Sequence, residues 1–195
     1  MTTANKVTIL RILLIPFFVV EVLYYMKSGD QRYRLTAILA FATAAICDGV
    51  DGYIARRYNQ RSELGAILDP LADKLLLVSG VIVLTRTNPH LGSIPLWLTG
   101  TIIGRDLLLL LGLGITQILV GKVNVRPRIL GKIATVLQMA CIIWIMLRWD
   151  DPLPKVWFVL TVATAVCTGV SGLWYLLDGV KLLGSHPTSS PAAKQ

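Results

Sequence analysis

Charge is scarce in this chain. Only 15% of its 195 residues are Asp, Glu, Lys or Arg, where a soluble domain carries closer to a quarter. That shortage, together with long apolar stretches, excludes an ordinary soluble globular domain. Acid is the scarcer sign: 11 acidic residues stand against 19 Lys and Arg, for a net charge of +8. The basic residues lie between apolar stretches rather than in one patch, so an anionic membrane surface or a phosphate-bearing ligand is the expected partner, and nucleic acid is not. Cysteine is equally sparse. Cys47, Cys141 and Cys167 are scattered through apolar sequence with no metal-ligand spacing, which reads as three small core residues. No internal repeat recurs at a fixed period. Lys6 and Arg11 precede a long apolar run, but no small-residue cleavage pattern follows it, so the run is expected to stay as a first span rather than leave as a signal peptide.

What is abundant is apolar sequence, 54% of the chain. It falls into six stretches long enough to cross a bilayer as helices: residues 7–26, 35–54, 64–84, 96–120, 129–147 and 156–177. The expected fold is an all-α integral membrane protein, a six-transmembrane-helix bundle filling residues 1–184, with a disordered Pro/Ser/Ala-rich tail over 185–195. Pro16 is expected to kink the first span, and Pro70 to lie near the start of the third, where proline is tolerated. Polar connectors are expected over 27–34, 56–63, 121–128 and 148–155.

Six spans put both termini on one side. Placing them inside puts eleven basic residues in the inside segments: Lys6, Arg11, Arg56, Arg57, Arg61, Lys122, Arg126, Arg128, Lys132, Lys181 and Lys194. The outside loops then hold six, Lys27, Arg32, Arg34, Arg86, Arg148 and Lys155, offset by Asp30, Asp150 and Asp151. The positive-inside rule therefore predicts cytoplasmic termini, with the ends of spans two and three open to the cytoplasm.

Those ends carry the most informative stretch, DGVDGYIARRYNQRSELGAILDPLAD, from Asp48 to Asp73. Four of the eleven acids fall in it as two pairs. Asp48 and Asp51 are spaced i,i+3, Asp69 and Asp73 i,i+4, so each pair shares one helix face. Four carboxylates this close repel one another and hold protons unless a cation neutralises them. Oxygen ligands without His or Cys suit Mg2+ or Mn2+ better than zinc, and calcium also accepts them. Gly52, Ala55 and Gly65 are small enough to admit another backbone or a flat nucleobase, or simply to let helices pack closely. Arg56 is suited either to a phosphate or to snorkelling at the interface.

The spacing D-x2-D-G-x2-A-R-x8-G-x3-D-x3-D resembles the signature of the CDP-alcohol phosphatidyltransferases at every fixed position: Asp48, Asp51, Gly52, Ala55, Arg56, Gly65, Asp69 and Asp73. The opening NKVTILRILLIPFF is similar to the family's first helix, and the length and span count also fit. The resemblance implies a six-helix membrane enzyme, commonly a homodimer, with a polar cavity open to the cytoplasm. It implies transfer of a phosphatidyl group from CDP-diacylglycerol to an alcohol with release of CMP. It assigns divalent metal to Asp48, Asp51, Asp69 and Asp73, the general base to Asp73, and the nucleotide site to Gly52, Ala55, Arg56 and Gly65.

The acceptor alcohol is less constrained. Arg105 and Asp106 lie inside the fourth apolar stretch, where ionisable residues are a functional hypothesis by default; they would either read the acceptor or form an ion pair that fixes packing. Arg126, Arg128 and Lys132 cluster at the start of the fifth, as phosphate ligands or as a positive-inside anchor. Lys132 lies in LGKIAT, which resembles the family's GK-x-x-T segment. The glycerol-3-phosphate branch often carries AREIIISALR-like sequence where this chain has GRDLLLLLGL: Arg105 matches its first arginine, and Leu113 stands in place of its second. The RD pair and RSELGAILDPLADK look closer to the cardiolipin synthases, which use phosphatidylglycerol. Glycerol-3-phosphate is the leading expectation and phosphatidylglycerol the alternative. A rival class, an ion or proton transporter, also buries Asp and Arg in helices, but the chain lacks the inverted repeat many transporters show.

Overall fold

The computed structural model describes the backbone of residues 3–58, 63–120, 129–148, 150 and 152–185, and the side chains of 8–47, 71–112, 129–148, 150 and 152–177. Among the described residues there are six helices and no strand: α1 Thr3–Ser28, α2 Gln31–Tyr58, α3 Glu63–Leu84, α4 Leu96–Val120, α5 Ile129–Met146 and α6 Pro154–Ser185. Each coincides with one of the six apolar stretches. The tail over 186–195 lies outside the described residues.

Caps, not hydropathy, set several helix ends. Where a polar loop is expected over 27–34, only Gly29 and Asp30 are non-helical. Gly29 takes φ +71 and donates its N–H to the Tyr25 carbonyl at 2.8 Å, the left-handed closure that favours glycine. A Cβ there would also meet the His90 ring at 2.9 Å. Asp30 then accepts the Arg32 N–H at 3.0 Å, an N-cap that starts α2. The result is a tight antiparallel pair. Pro154 is the first residue of α6, where its missing N–H costs nothing. Pro70, expected near the start of the third span, falls about two turns into α3, which starts at Glu63. Pro16 is inside α1, which is one continuous helix.

The interior is built on α1. Its buried positions, Thr8, Arg11, Ile15, Phe18, Val22 and Tyr25, recur every three or four residues, the spacing of a continuous packing seam. Facing it, Ala37, Ala40 and Ala44 form a small-residue stripe on α2, and small residues let helix backbones approach. Phe18 meets Phe41 with ring centroids 5.4 Å apart. Leu76, Leu77, Val81 and Leu84 of α3 and Ile142 and Ile145 of α5 complete this core. The α3–α4 loop is tied back to the end of α1: Asn88 donates to the Met26 carbonyl at 2.7 Å and the Tyr25 hydroxyl to the His90 carbonyl at 3.1 Å.

α6 packs against α4 and α5, and its inner face is polar. Thr161, Thr164, Thr168 and Ser171 are all buried. Gln138 donates to Thr168 at 3.3 Å, and Cys141 lies 3.3 Å from the Thr164 hydroxyl. Outward faces are the reverse: Leu13, Leu39, Leu110, Val136 and Phe158 are each more than 60% exposed. Water would penalise so much outward apolar surface, whereas lipid does not. Among the described residues, three helical stretches, Thr8–Ser28, Ile129–Met146 and Pro154–Leu177, are long and apolar enough to cross a membrane by length and composition.

Candidate active site

The eight signature residues fall on two helices that touch. Asp48, Asp51, Gly52, Ala55 and Arg56 belong to α2, Gly65, Asp69 and Asp73 to α3. The side chains of all but Asp73 lie outside the described residues. Asp73 is half-buried, and Leu76 and Leu77, one turn further along its face, are buried in the core. The backbone thus carries one carboxylate pair, one turn apart, on each of two neighbouring helices. That donor set fits a hard divalent cation: oxygen ligands, with neither His nor Cys in the stretch.

A second polar centre sits beside the first. Lys74, the residue after Asp73, reaches from α3 to Asp106 on α4, with Nζ 2.8 Å from both carboxylate oxygens. Arg105 donates from Nη1 to Asp106 Oδ1 at 2.7 Å and from Nη2 to the Ser171 hydroxyl on α6 at 3.2 Å. Arg105 and Asp106 are 7% and 8% exposed, and Lys74 keeps 38% of its side chain accessible. One carboxylate therefore serves two cations, which leaves the group one positive charge in excess. The Arg105 Nε is buried with no hydrogen-bond partner among the described residues.

Two glycines make room for this arginine. A Cβ at Gly131 of α5 would lie 3.0 Å from Arg105 Nη2, and one at Gly172 of α6 would lie 3.1 Å from Arg105 Cγ. The side chain is thus held against α5 and α6. Lys132, next to Gly131 in the first turn of α5, is exposed. Arg126 and Arg128 lie outside the described residues. The structure brings Arg105 to the end of α5 that carries Lys132.

Sequence reasoning missed Lys74 and Ser171. Lys74 had a signal, because it is an ionisable residue in an apolar helix, the same rule that singles out Arg105 and Asp106. Ser171 had none, since its importance comes from a contact between residues 66 positions apart. Arg11 needs a correction of role. Counted above as a cytoplasmic surface charge, it is fully buried in the α1 seam.

The model of the family described as CDP-alcohol phosphatidyltransferase matches residues 1–170. A probable phosphatidylglycerophosphate synthase of Mycobacterium tuberculosis is 33% identical over 182 residues, 93% of this chain and 83% of that protein. The CDP-diacylglycerol--glycerol-3-phosphate 3-phosphatidyltransferases of Escherichia coli and Shigella flexneri are each 31% identical over 175 residues, 88% of both chains compared. With the acidic signature on adjacent helices and these relatives along nearly its whole length, the chain belongs to the CDP-alcohol phosphatidyltransferase family and is a phosphatidyltransferase.

Proposed function

We propose that this enzyme transfers the phosphatidyl group of CDP-diacylglycerol to glycerol-3-phosphate and releases CMP, making phosphatidylglycerol phosphate. The observation that carries the acceptor is the Lys74–Asp106–Arg105 group, in which Arg105 and Asp106 are buried, Lys74 is partly exposed and one positive charge is in excess beside Asp73. A cationic pole suits an acceptor that brings its own phosphate. The names of the bacterial relatives support the same choice.

Asp48, Asp51, Asp69 and Asp73 would hold Mg2+ or Mn2+. When bound, the cation offsets charge on the pyrophosphate and on the departing CMP. Asp73 takes the proton of the acceptor hydroxyl as that oxygen bonds to the β-phosphorus and the bond from phosphorus to CMP breaks. Gly52, Ala55 and Gly65 leave space for the nucleotide, and Arg56 contacts its phosphates. Arg105, with Arg126, Arg128 and Lys132, holds the acceptor's phosphate away from the nucleotide.

The six helices act as six membrane spans over residues 1–184, with both termini and the α2–α3 acidic pairs on the cytoplasmic side of a bacterial inner membrane, in a homodimer. The soluble acceptor and the CMP product then reach the site from the cytoplasm. Phosphatidylglycerol as acceptor, giving cardiolipin, is favoured by Leu113 in place of a second arginine on α4 and by the Arg105–Asp106 pair and the RSELGAILDPLADK stretch. Purified enzyme in detergent with Mg2+ and CDP-diacylglycerol separates the two. CMP release with glycerol-3-phosphate alone supports the proposal; release with phosphatidylglycerol alone replaces it.

A further inference from the structure

We infer that Asp106 is a positioning residue for acceptor recognition: it aims Arg105 and Lys74 from two helices at one anion. The inference rests on the reading that the acceptor brings a phosphate. Asp106 Oδ1 accepts both Lys74 Nζ at 2.8 Å and Arg105 Nη1 at 2.7 Å, and Oδ2 accepts Lys74 again at 2.8 Å. Two cations that would repel are thereby held against one carboxylate. The clasp joins α3, one residue past the proposed base, to α4.

The remaining contacts show that the guanidinium is constrained rather than merely neutralised. Ser171 takes one Nη2 hydrogen bond, Gly131 lies against Nη2, and Gly172 lies against the stem. Of the five N–H donors, Nε has no partner among the described residues, a buried donor that a phosphate oxygen would satisfy. Lys74 is the more accessible of the two cations, with 38% of its side chain exposed, so its ammonium is the one open to a ligand from outside the helix packing. A purely structural ion pair would need one cation for one carboxylate. The second cation is surplus to packing and is what an anionic substrate would use.

The experiment compares Asp106→Asn and Asp106→Glu with wild type in detergent, measuring CMP release against glycerol-3-phosphate and against CDP-diacylglycerol separately, together with thermal unfolding. Asp106→Asn removes the only negative charge of the group. If that charge merely dampens attraction, KM for glycerol-3-phosphate falls. If Asp106 positions the cations, that KM rises about tenfold to a hundredfold, the range of a lost charged hydrogen bond, while KM for CDP-diacylglycerol stays within twofold and Asp106→Glu recovers part of the loss. A lowered or unchanged KM for glycerol-3-phosphate in Asp106→Asn overturns the inference, as does a loss confined to folding that glutamate does not repair. Wild-type enzyme that ignores glycerol-3-phosphate overturns the acceptor assignment instead, so the two failures are distinguishable.

Discussion

Gly172→Ala and Gly169→Ala form a matched pair on one helix that tests how tightly Arg105 is held. Alanine at a mid-helix glycine gains about 0.5–1 kcal/mol from backbone entropy alone. At Gly169 nothing lies within 4 Å of the new Cβ, so the whole gain is expected, an apparent Tm rise of about 1–4 °C for a chain of this size. At Gly172 the Cβ would stand 3.1 Å from Arg105 Cγ and 3.5 Å from its Cβ, where carbon atoms prefer about 3.5–4.0 Å. The crowded atoms belong to the stem, close to the α4 backbone, so they cannot swing clear as a side-chain tip would. Overpacking of this kind costs about 1–3 kcal/mol, which outweighs the propensity gain and leaves a net loss of roughly 0.5–2 kcal/mol. The expected fall in apparent Tm is about 1–8 °C, with a raised KM for the acceptor because the guanidinium moves. Parallel melts in one detergent at one heating rate read the difference, since membrane proteins often unfold irreversibly. Equal Tm for the two variants would refute the claim that α6 packs tightly on the arginine stem.

Three further outcomes follow from the site. Asp73→Asn is expected to abolish CMP release while retaining binding of CDP-diacylglycerol, measured by retention of labelled lipid; near-normal turnover would remove the base assignment. A chelator should stop CMP release, and added Mg2+ or Mn2+ should restore it without refolding; full activity in excess chelator would eliminate the metal role of the four aspartates. The triple change Lys74→Met, Arg105→Met, Asp106→Leu replaces the ionic group with apolar side chains, which in buried sites is often neutral or stabilising by about 1–4 kcal/mol. The variant should therefore melt no lower than wild type yet use glycerol-3-phosphate poorly, whereas an unfolded protein would make the group a structural element.

The helices were legible in the sequence because a bilayer demands about 20 apolar residues per span, and α4 begins and ends where hydropathy places it, at Leu96 and Val120. Ends governed by capping were not. Gly29 and Asp30 close α1 and open α2 through one backbone hydrogen bond and one side-chain cap, and hydropathy is blind to such bonds, so the polar residues on either side read as loop. The acidic pairs were legible for a different reason: their spacing is local, and a helix turns one residue into the neighbour of the next but two or three. The clasp around Arg105 was not, because Lys74, Ser171, Gly131 and Gly172 reach it from three other helices.

This difference between local and non-local information bears on how the enzyme divides its labour. A metal-binding face can be written on one turn of helix and read back from spacing. A charged group buried among helices must instead collect a partner from each neighbour, since an uncompensated charge there costs more than most single contacts return. Arg105 has such partners on α4 and α6 and close glycine contacts on α5 and α6, yet Lys74 adds a second cation that neutrality does not require. Packing alone would select against that excess. Its place beside Asp73 fits the proposal that a substrate anion completes the charge balance each time it binds, in which case Lys74 of α3 would act with Arg105 and Asp106 of α4 in choosing the acceptor.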